Sequence, residues 1–199
     1  MKSEKLGFTV HTNILLSIME NQAGTLSKAL LEGVMNSVDA GATRISVGVD
    51  ANAFSIRDDG RGFRSKDEII NWFGQFGTPH EEGDAIFGRF RMGRGQLMAF
   101  GVNTWRTGTF RMSVDIRNSG LDYVLTEGLY QVKGCNVAGR LYKALEPGEL
   151  DEVLADFTEL VRYCAIPVSL NGRVISKNAS AQKWDIETDD AWIRVARNG

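Results

Sequence analysis

Residues 26–40 constrain the fold most, because they change character halfway along one helical pattern. Leu26, Leu30 and Leu31 recur at the three-and-four spacing of an amphipathic helix. Glu32, Asn36 and Asp39 follow at offsets of four and three, which stacks three polar side chains on a face otherwise expected to be apolar. A buried carboxylate without a partner costs several kcal/mol, so an inward Glu32 calls for one, and a hydrated metal ion is the economical choice. Taken alone, the same residues also fit an ordinary solvated helix face.

Two further segments decide between those readings. An alternating strand over residues 53–57 runs into Asp58, with Gly60 and Gly62 spaced for a tight turn that lets backbone approach a ligand closely. By itself Asp-Gly is ordinary turn chemistry. Residues 86–97 then place Gly88, Gly93 and Gly95 ahead of an apolar run, 97–100, that reads as a helix start. Glycines before a helix N-terminus present free amide groups to anions, which suits a polyphosphate. No Gly-Lys-Ser or Gly-Lys-Thr sequence occurs, which argues against the other common ATP-binding fold.

Three such segments in this order and spacing resemble the gyrase, heat-shock chaperone, histidine kinase and MutL superfamily of ATP-binding domains, over about residues 26–175. The Glu-x-x-x-Asn-x-x-Asp-Ala form at Glu32, Asn36, Asp39 and Ala40 is similar to the hydrolysing branches: gyrase, the ninety-kilodalton chaperones, MutL and the MORC proteins. The resemblance implies a two-layer α/β sandwich with a mixed, largely antiparallel sheet and helices on one face. It implies ATP or ADP with magnesium as cofactors, Glu32 as the base that polarises the attacking water, and Asn36 as the magnesium ligand. Asp58 would accept the adenine amino group, Gly62 would contact the base, and Gly88, Gly93 and Gly95 the phosphates. Asp39, Ala40, Gly60, Phe63, Arg89, Arg94, Gln96 and Cys135 complete the expected nucleotide-binding set, and residues 74–92 would form a mobile lid. The chemistry of the residue types agrees. Magnesium prefers oxygen ligands and keeps several waters, so one amide plus phosphate oxygens is enough. A glutamate one helical turn earlier can orient a water nearby.

Two departures from the family pattern stand out. Arg91 occupies a position where the chaperone and MORC versions commonly carry glycine, and Arg89, Arg91 and Arg94 crowd one loop, where they contact the triphosphate or point to water. In Lys133-Gly134-Cys135-Asn136-Val137, Cys135 stands where the superfamily has a threonine that helps to hold the adenine. A thiol is a weak hydrogen-bond partner, so lower affinity or a rearranged water is expected.

At 199 residues and 43% hydrophobic content, the chain is long enough for one large domain with a real core. Its net charge of −2 gives no global reason to expect a nucleic-acid surface, so DNA as a partner is left open but unsupported by charge. Cys135 and Cys164 are too few for a disulfide framework or a zinc site and read as reduced thiols. His11 and His80 have no ligand-spaced neighbours and read as surface or lid residues. With no apolar run of membrane-spanning length and no signal peptide in residues 1–7, the expectation is a soluble, cytoplasmic protein with no membrane partner.

The patterning places helices over 12–19, 23–38, 65–73 and 149–164, and strands over 44–49, 53–57 and several between 104 and 145. Asn118-Ser119-Gly120 reads as a hairpin end, Pro147-Gly148 as a turn, and Asn171-Gly172 as a two-residue hairpin turn within 167–175. Trp72, Phe73 and Phe76 suit one helix face and read as hinge packing. Residues 1–175 are expected to form the ATP-binding domain and 176–199 a linker or the start of a truncated second domain, with strand character over 185–197. The function expected is an ATP-binding, slowly hydrolysing module whose lid closure and ATP-dependent homodimerisation act on a C-terminal effector domain or partner protein. The alternative is a switch that holds nucleotide without turnover.

Overall fold

The computed structural model describes residues 13–22, 24–75 and 93–195. Helix α1 (Asn13–Gln22) and helix α2 (Leu26–Asp39) come first, and Thr25 caps α2 by accepting the Lys28 N–H. Strands β1 (Ile45–Val49) and β2 (Ala53–Asp58) follow as an antiparallel pair. The expected helix at 65–73 divides into one α-helical turn, α3 (Lys66–Glu68), and a π-helical turn (Ile69–Phe73), with Ser65 accepting the Glu68 N–H at its start. Ile69 and Phe73 point into the core while Trp72 is exposed, so Trp72 and Phe73 do not share a face; Phe76 lies outside the described residues.

Helix α4 (Gly93–Phe100) leads into β3 (Gly101–Gly108), β4 (Phe110–Val114), α5 (Ile116–Ser119), β5 (Tyr123–Thr126) and β6 (Val132–Leu141). The expected hairpin end at Asn118-Ser119-Gly120 does join the antiparallel strands β4 and β5, but through the short helix α5 rather than a tight turn. Pro147-Gly148 is no turn. Pro147 is the first residue of α6 (Pro147–Leu160), Glu146 is its N-cap, and Glu149 completes a capping box, because the missing proline N–H is harmless in a first helical turn. Cys164 therefore lies beyond the helix. Strands β7 (Val168–Leu170) and β8 (Arg173–Val174) flank Asn171 and Gly172, whose φ angles of 48° and 83° make the expected hairpin turn. The Asn171 amide also donates to Val49 O and accepts from Val49 N–H, tying the turn to the end of β1. A small separate hairpin, β9 (Ile186–Glu187) with β10 (Trp192–Ile193), ends the described chain, with Trp184 edge-on to Tyr163 and stacked on Trp192.

Eight strands form one sheet in the order β5-β4-β3-β6-β2-β1-β7-β8, antiparallel except for the β1–β7 pair. Alternation gives the sheet two unlike faces. On one face Ile45, Val47, Val49, Phe54, Ile56, Val137, Trp105, Met112 and Val114 are buried beneath the helices, with Leu30, Val34, Leu97, Phe157 and Val161 opposite them. Helix α2 packs against both α4 and α6, and α1 against α4, so these helices form a single layer. The fold is the expected two-layer α/β sandwich with a mixed, mostly antiparallel sheet.

Candidate functional site

The site is built where the C-terminal end of β2 meets the second half of α2. A Cβ on Gly33 would overlap the Ile56 side chain and touch Leu97, so glycine there lets α2 sit close on β2 and α4. That approach carries Ser37, one turn further on, to the carboxylate of Asp58. Ser37 is 4% exposed, and its hydroxyl lies 3.1 Å from Asp58 Oδ2 and 3.0 Å from Gly33 O. Asp58 Oδ1 accepts the Gly60 N–H at 2.9 Å and the Cys135 N–H at 3.2 Å. A carboxylate offers about four acceptor positions. Three are filled by the protein, which leaves room for one further donor such as an amino group.

Burial pushes the Asp58 carboxyl above its ordinary value, against the pull of the hydrogen bonds from Gly60, Cys135 and Ser37. Its neighbour Asp59 behaves oppositely. The Thr43 hydroxyl and N–H, with the Arg44 N–H, hold Asp59 well below the usual carboxylate range, and Lys133 adds to this. Asp59 thus pins the start of β1 to the end of β2, while Asp58 faces the site.

The turn after Asp58 is shaped by its own packing. Gly62 has φ 59°, and a Cβ on it would collide with the Thr107 hydroxyl and the Gly134 carbonyl. Phe63 N–H donates to Thr107 Oγ1 at 2.9 Å, and its ring meets Phe73 edge-on. Arg61 N–H donates to the carbonyl of Ala40, the C-cap of α2, at 2.9 Å, and a Cβ on Gly60 would lie 3.1 Å from the Ala40 methyl. The first two motifs are therefore fastened to each other by backbone.

On α2 the polar side chains are less buried than the sequence pattern implied. Asn36 and Asp39 are exposed and only Glu32 is half-buried, while Gly33, Val34 and Ser37 take the buried positions on α2. Burial, followed by the charge of Asp39, raises the Glu32 carboxyl. Gly93 and Gly95 lie inside the first turn of α4 rather than ahead of it, which corrects the expected loop placement. Helix α2 packs on α4, with Gly33 facing the Leu97 side chain. Within the first turn of α4 Gln96 Oε1 is buried with no hydrogen-bond partner among the described residues, as expected of a group that meets a polar ligand. Gly88, Arg89, Arg91, most of the expected lid, His11 and His80 lie outside the described residues, and nothing is described of the Arg94 side chain.

Cys135 enters the site through its backbone N–H. Burial and the Asp58 charge push its thiol far above the ordinary value, so the side chain stays neutral. Ser37 and Thr107 were not singled out from the sequence. Ser37 had a faint signal, standing four residues after Gly33 on the inner face of α2. Thr107 had none, since it acts on a loop 44 residues away. Among the described residues no group of three His, Cys, Asp or Glu could hold a metal ion, and no helix is long and apolar enough to cross a membrane. The donor set suits a metal held by one amide and by ligand oxygens, with Asn36 exposed one turn from Glu32.

A search of curated proteins finds no match for the chain. The sequence profile of the histidine kinase-, DNA gyrase B- and HSP90-like ATPases matches residues 24–123, half of the chain, and spans the segments that carry Glu32, Asn36, Asp58 and Gly93. The chain belongs to this family of ATPase domains.

Proposed function

We propose that the chain binds magnesium-ATP with the adenine amino group on Asp58 and hydrolyses it slowly, as in the MutL, chaperone and MORC branch of its superfamily. The observation that carries this is the Asp58 carboxylate, which is half-buried, held by three protein donors and left with one acceptor position open beside a helix bearing Glu32 and Asn36.

In this reading Asp58 and Ser37 select the base, with the Cys135 N–H fixing the carboxylate plane. Asn36 supplies the side-chain oxygen for magnesium, which when bound neutralises phosphate charge and orients the leaving group. Glu32, one turn earlier, accepts a hydrogen bond from the attacking water and takes its proton as the water oxygen bonds to the γ-phosphorus and the bond to the bridging oxygen breaks, that oxygen leaving with ADP. Its raised carboxyl keeps it a better base than an exposed glutamate, at the expense of being protonated at a less acidic pH. The first turn of α4 presents backbone N–H groups, with its positive dipole end, to phosphate oxygens. Closure of residues 74–92 over the nucleotide, dimerisation and action on a partner domain complete the proposal, and turnover by this chain alone is expected at about a cycle per minute or slower, against the usual ~10 per second.

The test is calorimetric titration with magnesium-ATP, followed by steady-state phosphate release. Micromolar binding with slow release that Glu32→Gln removes is the expected result. Binding without phosphate release would leave a nucleotide switch, release unchanged by Glu32→Gln would remove Glu32 as the base, and no binding at all would sink the site.

A further inference from the structure

The face of the sheet turned away from the helices carries a charge pattern that the ATP site does not use. Reading the register across the strands, Ser169, Ser46, Arg57, Asn136, Arg106, Arg111 and Thr126 form one continuous row. The next row is Gly48, Ser55, Ala138, Thr104, Ser113 and Val124, and the one beyond holds Ala53, Arg140 and Val102. No aspartate or glutamate occurs at any of these positions in a chain whose net charge is −2. Four arginines therefore share these rows. Arg106 is tied to the carbonyls of Gly108, Phe110 and Tyr130, and Arg111 reaches Thr126 at 3.4 Å. Arg57 and Arg140 are exposed and have no ion pair or hydrogen bond among the described residues.

Beside Arg140, and one row away from Arg57, runs a trough of about 720 Å³ floored by Gly48, Ala53, Ser55, Val102, Thr104 and Ala138. Side chains on one face of a strand repeat every ~6.6 Å, so rows on either side of the small-residue row stand roughly 13 Å apart, wide enough for a helix of ~10 Å diameter. Small floor residues allow close approach. Asp50 lines one end of the trough, where its Oδ1 accepts the N–H groups of Asn52 and Ala53. The trough lacks lysine and stacking aromatics, and its floor is partly apolar, which favours a protein segment over a nucleic-acid backbone.

We propose that this face docks an acidic amphipathic helix of a partner protein, which seats small apolar side chains on Ala138 and Val102 and places carboxylates against Arg57 and Arg140. The contact would add a third layer to the sandwich and does not depend on the nucleotide reading.

The probe is a fluorescent 18-residue helical peptide with glutamates flanking an alanine–leucine stripe, measured by anisotropy at low and high salt. The same sequence with lysine for glutamate serves as control, and a 20-base-pair DNA duplex as competitor. Salt-sensitive binding of the acidic peptide, weakened at least tenfold by Arg57→Glu with Arg140→Glu and also by Ala138→Trp, is expected, with thermal unfolding unchanged in each variant. Equal binding of the lysine peptide, or no response to either variant, would overturn the proposal. So would tighter, variant-sensitive binding of the duplex, which would assign the face to nucleic acid. Concentration-dependent self-association lost in the arginine variants would assign it to a second copy of the chain and equally overturn the proposal.

Discussion

Asp58→Asn tests the site most sharply, because the structure predicts opposite effects on binding and on stability. In the parent, Asp58 has one acceptor position left for the adenine amino group. In the amide, Oδ1 can still take the N–H groups of Gly60 and Cys135, but the other atom becomes a donor facing a donor. Losing a charge-assisted hydrogen bond and leaving a polar group unsatisfied costs about 2–4 kcal/mol, or ~30- to ~900-fold in affinity. The fold should not suffer. The new Nδ2 can donate to Ser37 Oγ, whose own proton then goes to Gly33 O, already at 3.0 Å. The sign of the pH effect follows from the raised carboxyl of Asp58. A carboxyl raised in the folded state contributes stability fully present below its unfolded value and lost as pH rises through the folded value, so at neutral pH its charge is a net cost that the amide removes. The nucleotide-free variant should melt at or above the parent temperature near pH 7, and its advantage should shrink on acidification. Titration calorimetry and thermal unfolding between pH 4 and 8 (roughly the carboxylate range and above) measure both. Unchanged affinity, or a variant that melts several degrees lower at neutral pH, would refute the reasoning.

The remaining predictions concern the neighbours of Asp58 and the chemistry on α2. Glu32→Gln should keep nucleotide affinity within about threefold while phosphate release falls at least ~100-fold, the scale of general-base catalysis; Asn36→Ala should instead lose the magnesium dependence of binding, read by titration with and without chelator. Ser37→Ala should weaken nucleotide binding about fivefold, the equivalent of ~1 kcal/mol. Because the lost hydrogen bond was lowering the Asp58 carboxyl, the acid limb of the binding curve should also move to higher pH, which simple loss of packing would not produce. Since burial raises Glu32, hydrolysis at saturating magnesium-ATP should fall on acidification at a pH above that of an ordinary glutamate, and a rate flat down to pH 4 (roughly the unperturbed carboxylate value) would remove Glu32 as the base.

The layer architecture was legible in the residue pattern alone. Periods of 3.6 and 2 are local, so α2, β1, β2 and the Asn171-Gly172 turn were legible from short runs of neighbouring residues, and the spacing of Glu32, Asn36 and Asp58 follows from one helix and one strand-to-turn junction. Where local signals conflict, the reading slipped. Pro147-Gly148 looks like a turn until Glu146 and Glu149 are seen to cap a helix around it. Only the tertiary structure decided what surrounds Asp58. Ser37, Thr107 and the N–H of Cys135 reach the site from three different elements, Cys135 lying 77 residues along the chain from Asp58, and no local pattern encodes such a meeting. It also decided which face each arginine occupies. Arg57 and Asp58 are adjacent in sequence, yet strand alternation sends one to the open face and the other into the site. Only the register across the sheet brings Arg57, Arg106 and Arg111 into one row and Arg140 onto the same face.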